Sequence, residues 1–265
     1  MLTLGPAPDV PAGDAGERPL FRRCIRLHAA VQDDGGLRVR AALEDDFHHF
    51  RVELQAHAGR ITAITTQAPR HPYSLCPAAG QEVLQLLGAE LHRQAHAMAR
   101  LVQPSHQCTH VLDLAGLAAA QAARGPGQRR YDLRVPLRQQ GRTGAALARD
   151  GRTLLAWDLD DLDITGPAPY TGMNLRVGLA RWALTNLSED DAEAALVLRR
   201  AAAISLGKGA PLDEQTHAHV TGRCWVQQAG RAEQALRQIG STWDFTARAE
   251  ALCVDDQAWL TEATA

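Results

Sequence analysis

The sequence predicts an α+β fold in which antiparallel strand meanders are each followed by packed helices. Three observations carry this: runs that alternate apolar and polar between tight turns, a change to helical spacing after a proline-rich loop, and a repeat of that order after a Gly-Pro-Gly break. With 265 residues and 45% hydrophobic content the chain has enough apolar side chains for a sizeable core. Residues 1–20 form the expected tail, rich in Pro, Gly, Ala and Asp without apolar spacing. Residues 21–125 form a first α+β half and 126–265 a second, packed with the first as one unit. The identity between the halves is too low to establish a duplication.

The first meander consists of CIRLHAAV, LRVRAALEDD after Asp33-Asp34-Gly35-Gly36, FRVELQAH, and RITAITTQ after Ala58-Gly59. Alternation sends Phe50, Val52 and Leu54 to one face and Arg51 and Glu53 to the other. After Pro69 and Pro72, a stripe of Val83, Leu84, Leu86 and Leu87 predicts a helix that starts at Cys76-Pro77 and stops at Gly88. A second helix runs from Thr109 to Arg124, where Gly125-Pro126-Gly127 ends it.

The second half has strand-like runs YDLRVPLR, TGAALARDG, TLLAWDLDD and LDITG, then helices at about 174–186 and 189–203. Ser188 caps the latter, and Glu189, Asp190 and Asp191 favour its positive end. Near the C-terminus come a short run CWVQ, a helix around 231–238 and an amphipathic segment at 249–260.

A net charge of -2 from 28 basic and 30 acidic residues gives no broad cationic field, which argues against nucleic acid as a partner. No stretch approaches the apolar length of a membrane helix, so no membrane partner is expected. Five cysteines, widely spaced and in no CxxC pair, argue against a disulfide framework or a zinc knuckle. Together these predict a cytoplasmic protein whose partners are a small-molecule substrate and a second copy in a homodimer.

Three clusters could carry chemistry. In QCTHVLD, Cys108 sits at a helix start, where unpaired N–H groups lower a thiol pKa, and His110 and Asp113 share a helix face. The plain alternative is that Thr109 caps the helix, Cys108 is a buried apolar residue, and His110 with Asp113 is a surface pair. In EDDFHHF, Glu44, Asp45, Asp46, His48 and His49 crowd a turn into a strand. Alternation sends His48 and His49 to opposite faces, so only one of them lines a given cavity; the carboxylates could equally be ending a strand and capping its turn. In RHPYSLCP, Arg70 and Tyr73 lie on a stiff loop suited to binding an anion or a carbonyl oxygen, while Cys76-Pro77 is also explained as helix initiation. His110, Asp113, Cys108, His48, His49 and Asp46 are thus the catalytic candidates, with Arg70, Tyr73 and Asp45 as substrate contacts.

The segments EDDFHHFRV, RHPYSLCPAA, QCTHVLDLAGLA and DAEAALVLRRAAAIS resemble a bacterial domain-of-unknown-function family (family 2889), with the resemblance running from Phe21 onward. It implies a bacterial origin and a shared architecture, and no activity. Tyr73 stands where the family pattern has Trp, and Leu137 where it has an acid. A looser similarity links GRITAIT and the later helix start to iron–sulfur scaffold proteins, whose first Gly-rich cysteine loop has no counterpart here.

Without GxGxxG, a P-loop or a haem signature, the toolkit fits cofactor-independent lyase or isomerase chemistry, by proton transfer on a carbonyl or carboxylate compound, with no metal. An alternative is a zinc or iron protein using Cys76, Cys108, His110 and one of His48 and His49. A third is an interaction protein in which every cluster is packing, caps and surface charge.

Overall fold

The computed structural model describes residues 18–262. The expected tail therefore lies outside the described residues up to residue 17, and the first strand already opens at Leu20. The fold is α+β, with helices set against antiparallel meanders. Among the described residues two compact units are discontinuous in sequence: one takes 25–129, 211–243 and 253–262, the other 18–24, 130–210 and 244–252. The final fifty-five residues, assigned whole to a second half from sequence, are thus shared between the units. Local apolar periodicity carries no information about which distant strand a loop returns to.

In the first unit, β1 (Leu20–Val31, from Ile25 on), β2 (Leu37–Asp45), β3 (His49–His57) and β4 (Arg60–Arg70) follow the predicted meander. β2 pairs with β3 through Leu43↔Phe50 and Glu44↔His49, and β3 with β4 through Leu54↔Ile64. Helix α1 (Thr109–Arg124) packs on β2 and β3. Nearly all of α1 is buried, and its Ala115, Ala118, Ala119 and Ala122 are small side chains that permit close packing against their neighbours. β2 is buried along nearly its whole length. One set of its alternate residues, Val39, Ala41 and Leu43, is apolar, whereas Arg38 and Arg40 of the other set hold the C-terminal segment. Arg38 donates to Glu262 O at 2.7 Å, Arg40 donates to Trp259 O and Glu262 O, and the short helix α4 (Gln257–Thr261) packs against β2.

The segment 78–86 is a three-ten helix rather than the expected α-helix. Gly80, Val83 and Leu86 are buried at a spacing of three while Leu84 and Leu87 are exposed, as three residues per turn requires. Around 231–238 only a turn at Ala232–Gln234 is helical, and CWVQ contributes a turn at Trp225–Gln227.

In the second unit, β5 (Gly127–Pro136, from Arg130 on), β6 (Arg142–Arg149), β7 (Arg152–Asp160) and β8 (Asp163–Gly166) form an antiparallel meander. Helices α2 (Leu179–Asn186) and α3 (Glu189–Ile204) follow it. Ser188 caps α3 by accepting from Asp191 N, as its sequence predicted. Tyr131 donates to Glu193 inside this unit, and Tyr170 packs tilted against Trp157 and edge to face with Trp182.

Candidate functional site

The turn from β2 to β3 is where the chemistry collects. Asp45 is fully buried, and its Oδ1 accepts from the backbone N–H of Phe47 and of His48 at 2.8 Å each. Asp45 N donates in turn to His48 O at 2.8 Å, closing the hairpin. A carboxylate that satisfies the amides of its own turn is the Asx arrangement that makes Asp common at such corners. The same Oδ1 lies 3.1 Å from His48 Nδ1. An acceptor there places the ring proton on Nδ1 and leaves Nε2 with its lone pair.

Strand alternation decides what each imidazole meets. His48 has the parity of Phe50, Val52 and Leu54, the face that α1 covers, and its ring stacks on Phe50 with centroids 5.8 Å apart. His110, in the first turn of α1, comes down on the same spot: its ring lies 3.9 Å from that of His48, tilted by 32°. One nitrogen or oxygen from each of Asp45, His48 and His110 lies within 4.8 Å of the others. His110 is 6% exposed and the His48 side chain 12%, so the pair is largely withdrawn from water.

His49 has the opposite parity and enters a different group. Its Nε2 lies 3.0 Å from Asp256 Oδ1, and its Nδ1 lies 3.8 Å from Glu44 Oε1. Both carboxylates already have cationic partners: Arg51 Nε donates to Asp256, and Arg70 Nη2 donates to Glu44 Oε1 at 3.2 Å. Burial alone would raise the Asp256 pKa, but His49 and Arg51 outweigh it and hold the carboxyl below its ordinary value. This second group fastens the C-terminal segment, since Cys253 N also donates to Glu44 Oε2 at 2.7 Å.

Several sequence candidates fall into supporting positions. Arg70, expected to meet substrate, is buried and donates to Asp45 O, Asp46 O, Ser241 O and Glu44. Five donors in a fixed fork suit it to knitting a turn, and Trp243 stacks over it at 4.2 Å. Asp46 is fully buried, and its carbonyl accepts from Trp243 N at 2.7 Å. The Tyr73 hydroxyl donates to Gln215 Oε1 at 3.0 Å. Asp113 is half-buried on α1, three residues along from His110.

Cys108 corrects the sequence expectation most clearly. It is the residue before α1, and the N–H groups of Val111 and His110 do favour its thiolate, yet burial dominates and pushes the thiol up to about 12. A thiol in an apolar site with that pKa is no nucleophile at neutral pH. Burial raises Cys76 likewise. Thr109 offers no side-chain cap, contrary to the plain alternative. Sequence reasoning missed Asp256, whose only signal was an acid ahead of a short helix, and the contact of Asp45 with His48; it expected Asp113 to hold His110.

No helix among the described residues is long and apolar enough to cross a membrane. Residues 21–124 match the model of a family described as "Protein of unknown function (DUF2889)". The match ends with the last residue of α1 and so contains Asp45, His48 and His110, while DAEAALVLRRAAAIS lies beyond it. No curated protein matches the sequence.

Proposed function

We propose that this chain is a lyase or isomerase that moves a proton on a small carbonyl or carboxylate compound, with His48 as the acid/base group. The observation that supports the reading is the Asp45–His48 contact of 3.1 Å with the His110 ring 3.9 Å away. Asp45 fixes the tautomer that leaves the Nε2 lone pair free to accept a proton. Nε2 then takes a proton from the carbon beside the carbonyl, and the electron pair left behind moves onto the carbonyl oxygen. Where that carbon bears a hydroxyl, passage of the hydroxyl proton to the former carbonyl oxygen and return of the carbon-derived proton to the former carbonyl carbon complete an isomerisation; loss of a leaving group from the next carbon completes an elimination. His110 faces the base and stabilises the developing oxyanion as a hydrogen-bond donor. The reading includes a cytoplasmic setting and a homodimeric state.

The test is deuterium wash-in. Metal-free protein is incubated in D₂O with a panel of small keto and hydroxy acids, and exchange at the carbon beside the carbonyl is followed by NMR. The reading expects exchange with at least one compound and a loss of about 10²–10⁴-fold in His48→Ala, the usual contribution of a positioned base. Exchange that survives His48→Ala, or no exchange across the panel, contradicts it.

A further inference from the structure

We propose that Asp45, His48 and His110 bind one divalent transition-metal ion, zinc or iron(II). Two imidazole nitrogens and a carboxylate oxygen are borderline and hard donors of the kind both ions accept, and one such atom from each residue lies within 4.8 Å of the other two. Three protein donors leave at least one coordination position open for water or a ligand oxygen. The donors stand on rigid supports, with Asp45 and His48 pinned by the turn's own hydrogen bonds and His110 in the first turn of a sixteen-residue helix.

The charge environment separates this group from the other convergent one. Glu44, His49 and Asp256 also approach one another, but Arg51 and Arg70 already neutralise the two carboxylates there. A metal entering that group has to displace a guanidinium. Arg70 bears on Asp45 by charge as well, but its hydrogen bond goes to the Asp45 backbone carbonyl, while Asp45 Oδ1 accepts from the amides of Phe47 and His48 and lies 3.1 Å from His48 Nδ1. Metal–ligand bonds of about 2.0–2.2 Å bring tetrahedral donors to roughly 3.3 Å from one another. Binding therefore draws the three groups together and turns the tilted rings so that both nitrogens face the centre.

This inference shares the geometry of the proton-transfer reading but not its chemistry, because an ion takes the imidazole lone pair that the base requires. The full chain, freed of metal with a chelator, is titrated with Zn²⁺ by calorimetry, and its ¹¹³Cd²⁺ form is examined by NMR. The expected results are one ion per chain, a cadmium resonance in the range of nitrogen and oxygen donors, and at least a hundredfold loss of affinity in His48→Ala and in His110→Ala. His49→Gln, on the opposite face, retains binding.

No binding, a thiolate-type resonance implicating Cys76 or Cys108, or undiminished affinity in both alanine variants overturns the site. Where a variant fails to fold by circular dichroism, stoichiometry and cadmium shift of the unaltered protein decide. Deuterium exchange measured in the metal-free protein judges the base separately, and stoichiometric zinc should suppress it; exchange unchanged by bound zinc places the ion elsewhere and also overturns the site.

Discussion

Cys108 and His110 are two residues apart and both buried, and burial keeps the Cys108 thiol protonated. A thiol held at about 12 is ionised to roughly one part in ten thousand at pH 8, so Cys108 should resist iodoacetamide in the native protein while half-buried Cys224 reacts first. Peptide mapping after alkylation reads this directly, and prompt modification of Cys108 would show that the start of α1 is not packed as described. The sequence rightly marked a cysteine at a helix start but could not weigh burial against the helix N–H groups, since burial is set by β2 and β3. The orienting carboxylate shows the same limit. His110 and Asp113 share a helix face by spacing, whereas Asp45 reaches His48 because a two-residue hairpin turn folds it back through its own amides. That turn was legible as a cluster of acids before a strand, and its hydrogen bonds were not.

At the scale of elements, periodicity was a reliable guide where one face is buried and the other is not. α1 has the span its helical spacing predicted, and β1–β4 cover the predicted runs, with β1 opening earlier at Leu20 and β4 continuing to Arg70; the opposite parity of His48 and His49 follows from the same alternation. The 78–86 segment misled because apolar residues at 83, 84, 86 and 87 satisfy a helical stripe, while of these only Val83 and Leu86, three apart, are buried. α1 sits tightly against its surroundings at Gly116, where an added Cβ would lie 2.5 Å from the carbonyl oxygen of Ala95. Alanine normally stabilises a helix interior by about 1 kcal/mol relative to glycine. Here Gly116→Ala should instead destabilise by about 1–3 kcal/mol, the cost of overpacking against backbone that cannot rotate away. Urea unfolding measures it, and a stabilised variant would mean that α1 can shift away from residue 95 without cost.

For the chain as a whole, the connections that matter most are those of highest sequence separation. His49 meets Asp256 across 207 positions, Arg51 meets the same carboxylate, and Arg40 and Arg51 each lie over the Trp259 ring. No local pattern announces such a return, which is why the C-terminal segment was legible as amphipathic but not as a strap across β2 and β3. Because the Asp256 pKa is depressed in the folded protein, its contribution to stability is present above the ordinary carboxylate pKa and is lost as pH falls through the folded value. Asp256→Asn should cost about 1.5–3 kcal/mol at neutral pH and flatten the acid limb of the stability curve. An unchanged acid limb would assign that pH dependence to other carboxylates. The central claim is that Asp45, His48 and His110 form one site, and long-range ¹H–¹⁵N correlation combined with NOEs at the imidazole rings tests it most directly. The account predicts that neutral His48 carries its proton on Nδ1 and shows ring-to-ring NOEs with His110. A His48 protonated on Nε2, or one without contact to the His110 ring, would contradict it.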